Sequence, residues 1–367
     1  MGIRRSVGRV AILAAGALAL WPTAAPAAGT AGATATVCPH ASAAAPAVAG
    51  LRGVTAISSS DAWAASETVR PVHPVLAHWD GSSWTTVSSP VLQQTPGSVT
   101  AVASFPGGIW AVGARRQTTP SGHRLTHLIL RVTGGTVRTV PTPRPGNGAL
   151  LGVAATSATN AWAVGYITAG PPLILHWNGT AWKRSLLPRH AAGGVVAVAA
   201  ISATNAWALE VSSHGNSQIW HWNGTRWSRV ATPAITGQTY SLEGVTALSA
   251  RNAWAVGQTS ISGNTVILHW NGTRWRRTPS PSPPAPGGDF LSAVSASAAD
   301  NAWAVGSNVP DHILAEHWNG TSWRAVPIPG CDTLSGVSVL PSGHAWAVGS
   351  PPILHWNGSA WHRVPLT

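Results

Sequence analysis

The string Ala-Trp-Ala-Val-Gly stands at 161–165, 253–257, 302–306 and 345–349, and three variants, AWAAS at 62–66, IWAVG at 109–113 and AWALE at 206–210, bring the total to seven. Their tryptophans, Trp63, Trp110, Trp162, Trp207, Trp254, Trp303 and Trp346, are separated by 47, 52, 45, 47, 49 and 43 residues. A period in this range marks a repeat architecture, because a unit this small cannot bury its own apolar face and must stack on its neighbours. The unequal spacings place insertions in loops rather than in the repeated elements.

A second string follows in six of the repeats: HWDG at 78–81, then HWNG starting at His176, His221, His269, His317 and His355, each with another Trp three residues after the Gly. Repeat two keeps only the turn, at Gly134 and Gly135. Each unit reads as four short strands. Leu242 to Leu248 is small and mostly apolar; AWAVG alternates large and small residues; Val266 to Trp270 is an apolar run. Asn271-Gly272 supplies the positive φ angles of a tight hairpin turn, and Trp275 opens a fourth strand ended by Pro279. No helical periodicity is present after the leader. Four strands in each of seven units predict an all-β fold, a single seven-bladed β-propeller of four-stranded antiparallel blades over 51–367. First strands rich in Ala, Gly, Val and Ser, such as Val195 to Ala200, suit the crowded axis, and the tryptophans suit the wider gaps between blades.

An AWAVG-like strand coupled to an Asn/Asp-Gly hairpin and a following Trp resembles the tectonin-type and related bacterial Trp-rich propeller repeats over about residues 51 to 367. The loops here are longer than in compact tectonin repeats. The resemblance implies the propeller fold and lectin-like recognition, without a shared catalytic residue.

The N-terminus carries Arg4, Arg5 and Arg9, an uncharged run from Val10 to Leu20, and small residues ending in Ala25-Pro26-Ala27. This is the layout of a secretory signal peptide over 1–27, with 28–50 as an N-terminal extension. Ile3 and Gly8 fit a twin-arginine signal poorly, which favours general secretion. The apolar run is too short to span a bilayer, and no later stretch approaches the ~20 apolar residues a membrane helix needs. Loss of the leader leaves 19 basic against 10 acidic groups, and Lys183 is the one lysine among 22 basic residues, a usage that points to a GC-rich bacterial source. An exported chain with two cysteines, Cys38 and Cys331, is expected to pair them, here as a staple across ring closure.

Six histidines recur at one repeat position, one per blade round the ring, which is the wrong arrangement for ligands converging on one ion. No metal and no cofactor is expected. Asn-Gly-Thr/Ser triplets at Asn178, Asn223, Asn271, Asn319 and Asn357 match a glycosylation pattern, but each is also a hairpin turn. A specific site is expected where the repeats differ, on the face that carries the second-to-third loops and the blade-to-blade links. There lie Arg70 and His73 of blade one and Arg115, Arg116, His123 and Arg124 of blade two. Further round are Tyr166, Arg189, His190, Glu210, His214, Tyr240, Asp289, Asp311 and His312. The blade-two cluster predicts a contact with an anionic polymer, sulfated, uronic or phosphate-bearing. The expected molecule is a secreted, monomeric, extracellular binding module for polysaccharide or a cell-surface polymer, with nucleic acid an unfavoured partner. The alternative is a glycosidase- or lyase-type enzyme on the same face, which would need two of its scattered carboxylates (Glu67, Glu210, Asp289, Asp311) to converge.

Overall fold

The computed structural model describes residues 48–367 apart from 121, 144–145, 189–190, 192, 213–214, 282–287, 309–311, 329–331 and 351–352. Cys38 and Cys331, like Arg189, His190, His214 and Asp311, lie outside the described residues. The rest forms seven four-stranded sheets, each ordered first to fourth strand in sequence and antiparallel throughout. Blade one runs through Gly53–Ser58, Asp61–Glu67, Pro74–Trp79 and Trp84–Thr86; blade seven through Thr333–Val339, Ala345–Ser350, Ile353–Trp356 and Trp361–Val364. The first strands of successive blades contact one another all the way round, including that of blade seven against that of blade one. This is a closed seven-bladed β-propeller. Among the described residues the single α-helix is Pro90–Gln94, in the link between blades one and two.

The AWAVG segments are the second strands. Their terminal Gly is required by the pairing: at Gly257 a Cβ would lie 1.9 Å from the Ser241 carbonyl oxygen, where the first strand bulges between Leu242 and Gly244. In the two repeats that lack this Gly the side chain is put to use. Ser66 donates to the Ala49 and Gly50 carbonyls, and Glu210 accepts from Gly193 N–H (2.7 Å) and Trp220 Nε1 (2.7 Å).

Asn-Gly forms the turn between third and fourth strands. In blade three, Asn178 Oδ1 accepts from Thr180 N–H, Thr180 Oγ1 and Ala181 N–H at 2.9–3.1 Å. Blade one has Asp80 instead, and equivalent bonds from Ser82 and Ser83 hold its carboxyl down to about 2. The recurrent histidine stacks on the second-strand Trp of its own blade, as in Trp162–His176 at 4.1 Å, and its Nε2 meets the residue before that strand's Ala. The partners are Asn160, Asn205, Asn252 and Asn301 for His176, His221, His269 and His317, at 2.7–3.0 Å. These rings are fastened into the sheets.

The core is the space between blades. The second-strand Trp of one blade is covered by two tryptophans of the next, which face each other across its third and fourth strands. Trp162 thus meets Trp222 and Trp227, with ring centroids 5.2 and 5.1 Å away and the Trp227 ring near perpendicular at 80°. Ring closure uses the same contact: Trp346 of blade seven is covered by Trp79 and Trp84 of blade one. Leu51 N–H donates to the Gly349 carbonyl, and Leu366 pairs alongside Trp84 in parallel. The two joined blades otherwise each consist of their own consecutive strands.

Candidate functional site

The basic segment of blade two is not a loop. It forms the outer part of a long hairpin, Gly108–Thr119 with Gly122–Thr133, paired to its tip at Thr119 and Gly122. Side chains alternate across a strand. Arg124 pairs with Gln117, two residues from Arg115, so Arg115 and Arg124 share one face of the hairpin, and Arg116 and His123 share the other. A group contiguous in sequence becomes two half-groups, all four members exposed. The hairpin foot is tied to blade one, since Arg116 N–H donates to the Pro96 carbonyl (2.8 Å) and Gly97 N–H to the Val72 carbonyl (3.0 Å). These two bonds bring the turn bearing exposed Arg70 to the base of the hairpin and make one basic rim. His73 belongs to the framework, with Nδ1 3.0 Å from the Thr95 carbonyl. Glu67, the carboxylate nearest in sequence, is paired with Arg52 at 2.9 Å.

Of the remaining polar groups of this face, Glu210 and Tyr240 are held by hydrogen bonds. Glu210 is 3% exposed and held as described above, and Asp289 is 5% exposed on another blade, its carboxyl pushed up by burial. The Tyr240 hydroxyl donates toward Thr232 Oγ1 (2.6 Å) and the Pro233 carbonyl (3.1 Å), and burial pushes the pKa of Tyr240 and Tyr166 up, which keeps both hydroxyls neutral.

A second site lies on the opposite face, among the uniform turns, and sequence reasoning passed it by. Blade two has Val132 and Val137 at the two positions that carry tryptophans in the other six blades. The Trp they should cover, Trp63, is half-buried, whereas its six equivalents are 0–1% exposed. The missing bulk leaves a cleft of about 620 Å³ between blades one and two, lined by Asp61, Trp63, His78, Phe105, Ile109 and Val132 among others. That volume is in the range of small-ligand sites. Asp61 occupies the position of the recurrent Asn. Its Oδ1 accepts from Trp63 Nε1 at 2.9 Å and lies 3.1 Å from His78 Nε2. Blade two also lacks the recurrent His, and Arg131 replaces it, its guanidinium 5.0 Å from the Phe105 and Trp110 ring centroids. The signal for this site was in the sequence, as the loss of HWNG in repeat two and the change of Asn to Asp before AWAAS.

Fold and sites together define a seven-bladed propeller with a basic rim on one face and an inter-blade cleft on the other. No protein-family model matches the sequence, and no curated relative does either. Solved structures share the fold. YCF48 from Cyanidioschyzon merolae superposes with a TM-score of 0.58 at 17% identity, covering 84% of this chain and 96% of that one. YCF48 bound to D1 peptide gives 0.51 at 16% identity over 74% and 82% of the two chains. The WD40 β-propeller domain of Doa1 gives 0.56 at 12% identity over 82% and 90%. The chain has the seven-bladed propeller fold of the WD40 and YCF48 kind.

Proposed function

We propose that the mature protein is an exported, monomeric recognition module that holds an anionic polysaccharide along the basic rim between blades one and two. The observation that carries this reading is the rim itself: Arg70, Arg115, Arg116 and Arg124 are all exposed, gathered at one edge by the bonds through Val72 and Pro96, with the adjoining carboxylate of Glu67 already paired. Guanidinium groups on both faces of a projecting hairpin suit a chain of sulfates or carboxylates that wraps it, each contact being a charge-assisted hydrogen bond. The tectonin-type resemblance supports recognition of sugars. The YCF48 structure with a bound peptide supports a docking role for discs of this fold. Glycosidase or lyase action is the weaker reading, because Glu67, Glu210 and Asp289 belong to different blades and Glu67 and Glu210 are bonded within them.

The test is binding of the secreted protein to dextran sulfate, alginate and neutral dextran, with chain length followed in parallel. Arg115→Ser/Arg116→Ser/Arg124→Ser should bind the anionic polymers at least ~10-fold more weakly, the loss of two or three such contacts. Wild-type affinity should fall with added salt. Equal affinity in the triple variant defeats the reading, and shortening of the polymer would establish the enzymatic one.

A further inference from the structure

We infer that the cleft between blades one and two is a binding site for an aromatic side chain, best an indole, presented by a peptide partner. The inference is independent of the basic rim, which lies on the other face. Its ground is that the molecule shows six filled copies of the same site. Trp110 is covered by Trp177 and Trp182 (centroids 5.0 and 5.1 Å), Trp207 by Trp270 and Trp275 (5.0 and 5.2 Å), and Trp254 by Trp318 and Trp323 (4.9 and 5.2 Å). Trp162, Trp303 and Trp346 are covered in the same way. In each case the surface of a second-strand Trp, backed by its own blade, receives one tilted and one near-perpendicular indole. At Trp63 the backing remains, with the tilted His78 ring 4.3 Å away, but the facing residues are valines: Val132 lines the cleft, and Val137 is buried with Leu92 of the short helix. A surface that elsewhere accepts indoles is open here, in a cleft with room for a guest.

The polar chemistry of the cleft narrows the guest further. At the filled sites the covering indoles Trp84, Trp182, Trp275, Trp323 and Trp361 have Nε1 buried without an acceptor. The open site provides one. Asp61 already accepts the indole N–H of Trp63, and a carboxylate can take up to about four hydrogen bonds. Asn at the same position in four other blades brings no charge, so the carboxylate occurs together with the open cleft. An indole N–H would meet Asp61, while an aliphatic side chain would gain only contact with Trp63 and Phe105.

The probe is N-acetyl-tryptophanamide carrying a fluorine on the indole ring, followed by fluorine NMR, with N-acetyl-leucinamide and cellobiose as competitors. The tryptophan probe should bind, the leucine analogue at least ~10-fold more weakly, and cellobiose should not displace it. Asp61→Asn restores the residue of four other repeats and should weaken binding ~5- to 10-fold, as loss of a charge-assisted acceptor requires. Val132→Trp refills the space from within and should abolish binding. If that variant does not fold, Trp63→Leu takes its place and should also lose the probe. Binding that survives refilling or Trp63→Leu, equal affinity for the leucine analogue, displacement by cellobiose, or no binding at all would overturn the inference.

Discussion

The contact between blades three and four and the contact between blades one and two use the same strands in the same register, yet they bury their central tryptophan differently. Trp162 is 0% exposed beneath Trp222 and Trp227; Trp63 is half-buried beside Val132 and Val137. The sheets do not collapse to close the gap, because blade position is set near the axis by the contacts of the first strands, where Gly53 approaches Ala101 as Gly244 approaches Ala293. A propeller can therefore lose the indole filling of one of its seven interfaces, with Leu92 of the short helix packing on Val137 instead, and keep the ring. What changes is the outer end of the gap, where a packing position becomes a cleft.

The largest expected effect is on the filled interface. Trp162→Ala should cost about 3–5 kcal/mol, as removal of a fully buried Trp does, and Trp63→Ala about 1–2 kcal/mol, read as shifts in denaturation midpoint at constant m. Equal losses at the two sites would break the comparison. Next comes Val132→Trp, which should raise stability by about 0.5–2 kcal/mol if the cleft matches its filled counterparts. Overpacking would instead lower it by about 1–3 kcal/mol, and the melting temperature distinguishes the two.

Asn205→Ala removes the acceptor of His221 and should cost about 1 kcal/mol. Asp61→Asn, which keeps an acceptor for His78 and Trp63, should leave the denaturation midpoint within about 0.5 kcal/mol. The smallest effect per residue is with pH. Burial lowers the pKa of His176, His221, His269 and His317 from 6.5, and burial together with His344 and His362 lowers that of His355. The unfolded chain then takes up protons first. The stability tied to neutral rings is complete above pH 6.5 and falls away as the pH drops through the lowered folded values. Denaturation midpoints measured from pH 8 down to pH 5 should decline only below that point. His221→Gln should decline less than wild type, and a midpoint that rises on acidification would contradict the burial of these rings.

The ring was legible because its determinants are local and repeated. AWAVG reads as a strand, Asn-Gly as a turn, and the period as a count of blades, so each of the seven second strands stands where the sequence placed it. The basic cluster was legible as residues but not as a surface. Arg115 and Arg116 are neighbours in the chain and part company in space, because a segment read as a loop is a paired strand, and pairing sends successive side chains to opposite faces.

By itself, the sequence determined the number of blades, the four strands in each, the hairpin turns and the departure of repeat two from its pattern, since all of these follow from short-range alternation and turn chemistry. Only the tertiary structure decided what that departure means. The tryptophans flanking Asn-Gly pack on the preceding blade's Trp 53–72 residues earlier in the chain, as Trp227 does on Trp162, a pairing that inter-blade contact imposes and no local pattern encodes. Their loss from blade two therefore opens a cleft over Trp63 in blade one, beside an aspartate that the repeat elsewhere does not have.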